Sequence, residues 1–180
     1  IGERHAIPVI EDAAQSFGAT FSGMRSCGAS GIAATSFFPA KPLGCYGDGG
    51  AAFTHDAALA ERMRELRNHG QNAPYQHPRL GINGRLDTIQ AAVLLAKFKH
   101  YPTEIARRRE IAARYRDGLS GLDDLTLPTG PDEDDHFDVY QNYEVEAGRR
   151  DELRAHLAEN GVGTSVQWDG KPVHRLSGLG

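Results

Sequence analysis

Lys41 lies in the stretch Ser36-Phe37-Phe38-Pro39-Ala40-Lys41-Pro42-Leu43-Gly44, just past an apolar run. A lysine at the end of a buried strand sheds its proton more readily than an exposed one, because burial disfavours the ammonium. Only the neutral amine attacks a carbonyl carbon. Alone, a lysine at such a loop reads as an ordinary surface residue. Asp12 closes another run, Ile7-Pro8-Val9-Ile10-Glu11. Its carboxylate could keep a cofactor's ring nitrogen protonated, or cap a helix over Ala13-Ala14-Gln15. Gln15, one turn on, could bond a ring hydroxyl or face solvent. The Ser36 hydroxyl could donate to an anionic oxygen or belong to an ordinary strand serine. Gly47, Gly49 and Gly50 come after Lys41, which is the wrong order for a phosphate-binding loop, so a turn is expected. His69, His77 and His100 have neither the i, i+4 pairing nor the cysteine partners of a zinc site, and no metal is expected.

These residues need elements to place them. Ile7–Ile10 reads as a buried strand of a parallel sheet, with Asp12 at its carboxyl end, where ligands gather in open α/β sheets. Ile32–Phe38 reads as a second strand stopped by Pro39, and Ala51–Thr54 as a third. Asp56 is a plausible N-cap for a helix through Leu66, with Gly70 as its stop. Asp87 begins another helix with Ile89, Val93, Leu94 and Phe98 on its apolar face, interrupted by Pro102. A further helix runs from Thr103 to Leu119. After Gly121 the character changes. Pro128, Gly130, Pro131 and Asp132-Glu133-Asp134-Asp135 form a solvated connection. A strand (Val139–Val145), a helix (Arg150–Glu159) and a strand (Val162–Trp168) follow, the last two joined at Asn160-Gly161. The expected division is 1–121 and 122–180, the second part being a smaller α+β domain.

The 180 residues are 39% apolar and 24% charged with a net charge of −4, as in an ordinary globular chain rather than a general nucleic-acid binder. Cys27 and Cys45, at no metal-ligand spacing, suit reduced thiols in a cytoplasmic protein. No apolar run reaches the length of about 20 residues that spans a bilayer, so no membrane partner is expected. Ile1-Gly2-Glu3-Arg4-His5 shows no signal core or starting Met, and Leu176-Ser177-Gly178-Leu179-Gly180 closes no element, so a fragment is expected.

Glu11-Asp12-Ala13-Ala14-Gln15, the stretch from Thr35 to Gly44, Gly47-Asp48-Gly49-Gly50-Ala51, Leu66-Arg67-Asn68-His69-Gly70, and Gly81-Ile82-Asn83-Gly84-Arg85-Leu86-Asp87 ending in Gln90-Ala91-Ala92 occur in that order. Together they resemble the DegT/DnrJ/EryC1/StrS aminotransferase family over nearly the whole chain. The resemblance implies an α/β fold, that of a fold type I pyridoxal-phosphate-dependent transferase. The chain would hold the later part of its large domain, with a mostly parallel sheet, and part of a small C-terminal domain. It implies pyridoxal 5′-phosphate as cofactor, held by Lys41 as an internal aldimine, with Asp12 at the ring nitrogen, Gln15 at the ring hydroxyl and Ser36 at the phosphate. It further implies a homodimer with shared sites, in which Asn83 and Arg85 reach the phosphate region of the partner. The activity implied is transfer of an amino group from an amino acid, glutamate, to a nucleotide-linked keto-sugar.

Two departures stand out. The family's N-terminal part, with its phosphate-gripping loop and ring-stacking aromatic residue, is not in this sequence. Many members also carry His-Tyr-Pro ahead of Pro-Leu-His near the substrate. Here the chain reads Val166-Gln167-Trp168-Asp169-Gly170-Lys171-Pro172-Val173-His174, and only His174 matches. Trp168 is either a sugar-pocket residue or a core tryptophan. The segment Tyr75–Gly81 resembles members that aminate position 3 of UDP-linked hexuronic acids. Sugar dehydratases of the same superfamily carry a histidine where Lys41 stands, which argues against that chemistry, and a non-catalytic regulatory relative would be expected to lack Asp12 or Lys41.

Overall fold

In the computed structural model, which describes residues 1–130 and 135–178, the chain opens with one helical turn, α1 (Gly2–His5), and the strand β1 (Ile10–Asp12). A hairpin of β2 (Thr20–Phe21) and β3 (Met24–Arg25) follows, then β4 (Ile32–Ser36) and β5 (Gly50–Phe53). β4 is the middle of a three-stranded sheet ordered β1-β4-β5. β1 runs parallel to β4, as expected for an α/β sheet. β5 runs antiparallel, because the loop after β4 turns straight back instead of crossing over through a helix. Along β4 the buried residues Ala33 and Thr35 alternate with the more open Ala34 and Ser36. One face of this sheet therefore packs on the core while the other stays open. The expected strand at Ile7–Ile10 starts later, and Ile7, Val9 and Ile10 are exposed. β1 is an edge strand here, and the buried side chain that follows it is Ala13.

The helices follow the sequence more closely. α2 (Ala57–Arg67) is capped by Asp56, whose Oδ1 accepts from the amides of Ala58 (2.8 Å) and Leu59 (3.1 Å). α3 (Thr88–Phe98) buries Leu94 and packs Val93 on the core, while Ile89 and Phe98 of its apolar face stay exposed. α4 (Tyr101–Leu119) begins before Pro102, which sits in the first turn where its missing N–H leaves no bond unmade. Phe37, Leu43, Cys45, Leu94, Tyr101, Ile105 and Val139 form the core. The Tyr101 hydroxyl donates to the Phe17 carbonyl, and burial pushes it up to about 12.

Two compact units result, Ile1–Gly118 with Thr129–Tyr143, and Leu119–Pro128 with Glu144–Gly180. The boundary read from the sequence placed everything after residue 121 in a second domain, whereas Thr129–Tyr143 returns to the first unit. β7 (His136–Phe137) pairs with β2, Val139 is fully buried, and Arg108 and Arg109 donate to the carbonyls of Tyr140, Gln141 and Asp138. The strand expected over Val139–Val145 does not form, since Tyr140 has φ 45° and breaks the pleat. Residues 132–134 of the acidic connection lie outside the described residues, as do Leu179 and Gly180.

In the second unit, β6 (Leu125–Thr126) pairs antiparallel with β8 (Glu146–Ala147), and α5 (Arg150–Glu159) coincides with its expected span. The strand expected over Val162–Trp168 is irregular chain ending in a 3-10 turn, Gln167–Gly170, followed by another at Val173–Arg175. Among the described residues no helix is long and apolar enough to cross a membrane.

Candidate active site

Asp12 pairs with Ala34 across β1 and β4, and Ser36 lies two residues further along β4. Parallel partners share a sheet face and side chains alternate along a strand, so Asp12, Ala34 and Ser36 all belong to the open face. Their neighbours on β5 are Ala52 and Gly50. Two polar groups thus flank a floor of small residues, over which a flat ring can lie. On the covered face, Thr35 Oγ1 donates to the Ala13 carbonyl at 2.9 Å and Ala13 N to the Ala34 carbonyl at 2.8 Å, pinning the end of β1 to β4. Asp12 Oδ1 accepts from the Ala14 amide at 3.0 Å, closing a turn rather than capping a helix. Among the described residues its carboxylate has no other hydrogen-bond partner. Ser36 Oγ accepts from the Phe38 amide at 3.2 Å, which leaves its own proton for an acceptor. Gln15 lies exposed in the turn after β1.

Lys41 is half-buried in the turn beyond β4, its amide donating to the Phe38 carbonyl at 2.9 Å. Pro42, Leu43, Gly44 and Cys45 behind it are buried. The Cys45 amide donates to the Phe37 carbonyl, and its thiol lies 2.9 Å from that oxygen and 3.1 Å from the carbonyl oxygen of Gly47. From α3, Gln90 Oε1 accepts from the Tyr46 amide at 2.8 Å, and the Lys97 ammonium donates to the Gly44 carbonyl. Gln141 Nε2 donates to the carbonyl of Ala40, next to Lys41, at 3.3 Å. Its Oε1 is buried with no donor among the described residues, an unmet hydrogen bond beside this loop. An amine on a rigid loop, a carboxylate and a hydroxyl at the carboxyl ends of two strands fit a flat, protonated, phosphate-bearing ring.

Asn83 and Arg85 are built onto the end of α2. The backbones cross closely there, with amides of His69, Ile82 and Gly84 donating to the carbonyls of Ile82, Leu66 and Arg67 at 2.8 Å. Gly70, at φ 72°, makes the crossing possible, because a Cβ on it would stand 2.0 Å from the Arg79 carbonyl oxygen. Asn83 bridges Asn68, and Arg85 Nη1 donates to Asn68 Oδ1 at 2.7 Å and lies 3.1 Å from His69 Nε2. Both Asn83 and Arg85 are exposed. In the second unit, Trp168 is 67% exposed with φ 51°, so it is no core tryptophan, and His174 is exposed in the turn Val173–Arg175.

Several contributors escaped the reading of the sequence. Glu11 accepts from the amides of Cys27 (2.7 Å) and Ala29 (3.0 Å) and so folds the loop leading into β4. Gln90 clamps the loop after Lys41, and Asn68 and His69 hold Arg85. A polar residue adjoining a candidate (Glu11 beside Asp12) was the one local signal. Among the described residues no three His, Cys, Asp or Glu side chains gather as metal ligands.

The sequence profile of the DegT/DnrJ/EryC1/StrS aminotransferase family matches residues 1–178. The chain is 49% identical over 168 residues to a UDP-2-acetamido-2-deoxy-3-oxo-D-glucuronate aminotransferase of Pseudomonas aeruginosa, covering 93% of this chain and 46% of that protein. It is 46% identical over 175 residues to a dTDP-3-amino-3,4,6-trideoxy-alpha-D-glucose transaminase of Streptomyces venezuelae, covering 97% and 45%. The crystal structure of S. venezuelae DesV in complex with a ketimine intermediate superposes with a TM-score of 0.91 at 44% identity, over 98% of this chain and 47% of that one. The chain thus spans about half the length of the curated relatives it matches.

Proposed function

Because this chain belongs to the DegT/DnrJ/EryC1/StrS aminotransferase family, we propose that the protein containing it transfers an amino group from an amino acid, glutamate, to the keto carbon of a nucleotide-linked sugar. Pyridoxal 5′-phosphate, implied by the family, supplies the electron sink when bound. The observation that carries this reading is the shared open face of Asp12 and Ser36, with Lys41 on the clamped loop just beyond β4. Asp12 keeps the ring nitrogen protonated, through an oxygen its turn does not use. Ser36 gives its proton to the phosphate, and Gln15 meets the ring hydroxyl. Lys41 holds the cofactor at rest. Its ε-amino group, when free, would take the proton from the substrate carbon and later return it. The second half of the reaction runs these proton movements backwards on the keto-sugar. Asn83 and Arg85 serve the phosphate region of a second copy, so that two chains complete each site of a cytoplasmic homodimer. Trp168 and His174 face the sugar.

The 49% identity to a UDP-sugar 3-oxo aminotransferase, together with the segment Tyr75–Gly81, favours a UDP-linked 3-keto hexuronic acid as acceptor. The test uses the full-length protein with glutamate and a panel of keto-sugar nucleotides. Lys41→Arg is expected to lower turnover by at least 10²- to 10⁴-fold, the usual worth of a positioned acid–base group. After borohydride treatment and digestion, the wild-type peptide containing Lys41 should carry the cofactor's mass and the variant none. A variant that keeps both turnover and the labelled peptide overturns the assignment of Lys41.

A further inference from the structure

We propose that Asn68 and His69 are positioning residues that hold Arg85 in place with its charge unneutralised, ready to receive a phosphate group. The proposal rests on the reading of Arg85 as an anion partner and says how that role is built. A guanidinium only donates, so Asn68 Oδ1 at 2.7 Å and His69 Nε2 at 3.1 Å must both accept. Among the described residues no carboxylate pairs with Arg85, whereas Arg64, Arg79 and Arg107 each face a glutamate. A carboxylate largely cancels the field of the arginine it binds. Two neutral acceptors orient Arg85 and leave its full charge for an incoming anion.

The backbone of His69 is an independent pointer. It follows Asn68, the C-cap of α2, and adopts φ 61°, with Gly70 next at φ 72°. That position of a helix end suits glycine or asparagine, and any other side chain there strains the backbone. An imidazole kept at a strained position is accounted for by what its ring touches. The site is rigid on both sides, because the His69 amide donates to the Ile82 carbonyl and its own carbonyl accepts from His77 Nδ1 at 3.1 Å.

The group recognised is a phosphate, which either the cofactor or a nucleoside diphosphate can bring. In the full-length apoprotein, dissociation constants for pyridoxal phosphate and for UDP are measured alongside the thermal midpoint. His69→Gly relieves the strained backbone, so the midpoint should hold or rise, while affinity for at least one of the two ligands falls about tenfold. His69→Gln, whose side-chain oxygen accepts in place of Nε2, should restore most of that loss. Asn68→Asp should weaken the same ligand by neutralising Arg85, and the ligand affected identifies the phosphate. If Arg85→Ala binds both ligands as the wild type does, the role of Arg85 fails and this proposal with it. If Arg85→Ala weakens binding and His69→Gly does not, the positioning role alone is overturned.

Discussion

Asp12 closes a turn to Ala14 through Oδ1 and belongs to the open face of the sheet, where its carboxylate is proposed to serve the ring nitrogen. Asp12→Asn retains an oxygen for the turn and removes the charge. It should lower turnover by roughly 10²-fold and leave the thermal midpoint of the apoprotein close to wild type, as a parallel assay and melt would record. Tyr101 yields a prediction of a different kind. Its pKa is raised in the folded chain to about 12, chiefly by burial, from an unfolded value near 10. The folded state therefore keeps a proton that the unfolded state has lost. The stabilisation is whole below pH ~10 and disappears as pH climbs towards 12. Denaturant titrations across that window should show stability falling with pH, and Tyr101→Phe should flatten the slope. At this scale the sequence drew attention to chemical groups that adjoin an apolar run, namely Asp12, Ser36 and Lys41. It was silent on Gln90, whose partner Tyr46 lies 44 residues away, and on Lys97, which reaches Gly44 across 53. Such contacts have no periodicity to betray them.

Among the elements, helices were legible because their ends are written in local chemistry. Asp56 accepts two of the amides that open α2, and Asp56→Ala should cost about 1 kcal/mol, measurable as a lower denaturant midpoint with an unchanged m-value. The same local logic overstated Pro102, which a first turn tolerates. Strands fared worse. The runs Val139–Val145 and Val162–Trp168 carry β-branched and aromatic residues, yet Tyr140 and Trp168 adopt positive φ and no ladder forms over either run. Strand propensity reflects fitting a pleated, half-buried surface, and Val139 is buried through side-chain packing instead.

At the scale of the whole molecule, a site shared between two copies makes a prediction that no single-chain site could meet. Full-length Lys41→Arg and Arg85→Ala proteins should each be strongly impaired. When the two are unfolded and refolded together, half the dimers formed at random are mixed, and each mixed dimer has one site with both residues intact. Activity should return to about a quarter of the wild-type level; assays across mixing ratios check this, and recovery no greater than the sum of the separate variants would exclude sharing. The passage of the chain between its units was hidden from the sequence, because Pro128, Gly130 and Pro131 read as a one-way linker. Instead Thr129–Tyr143 goes back to the first unit, giving β2 a partner and the core Val139. One consequence concerns recombination. A chimera spliced once near Gly121 would take β7 and Val139 from a foreign parent and set them into the host's core, so exchange of the second unit between relatives demands paired crossovers on either side of the returning segment.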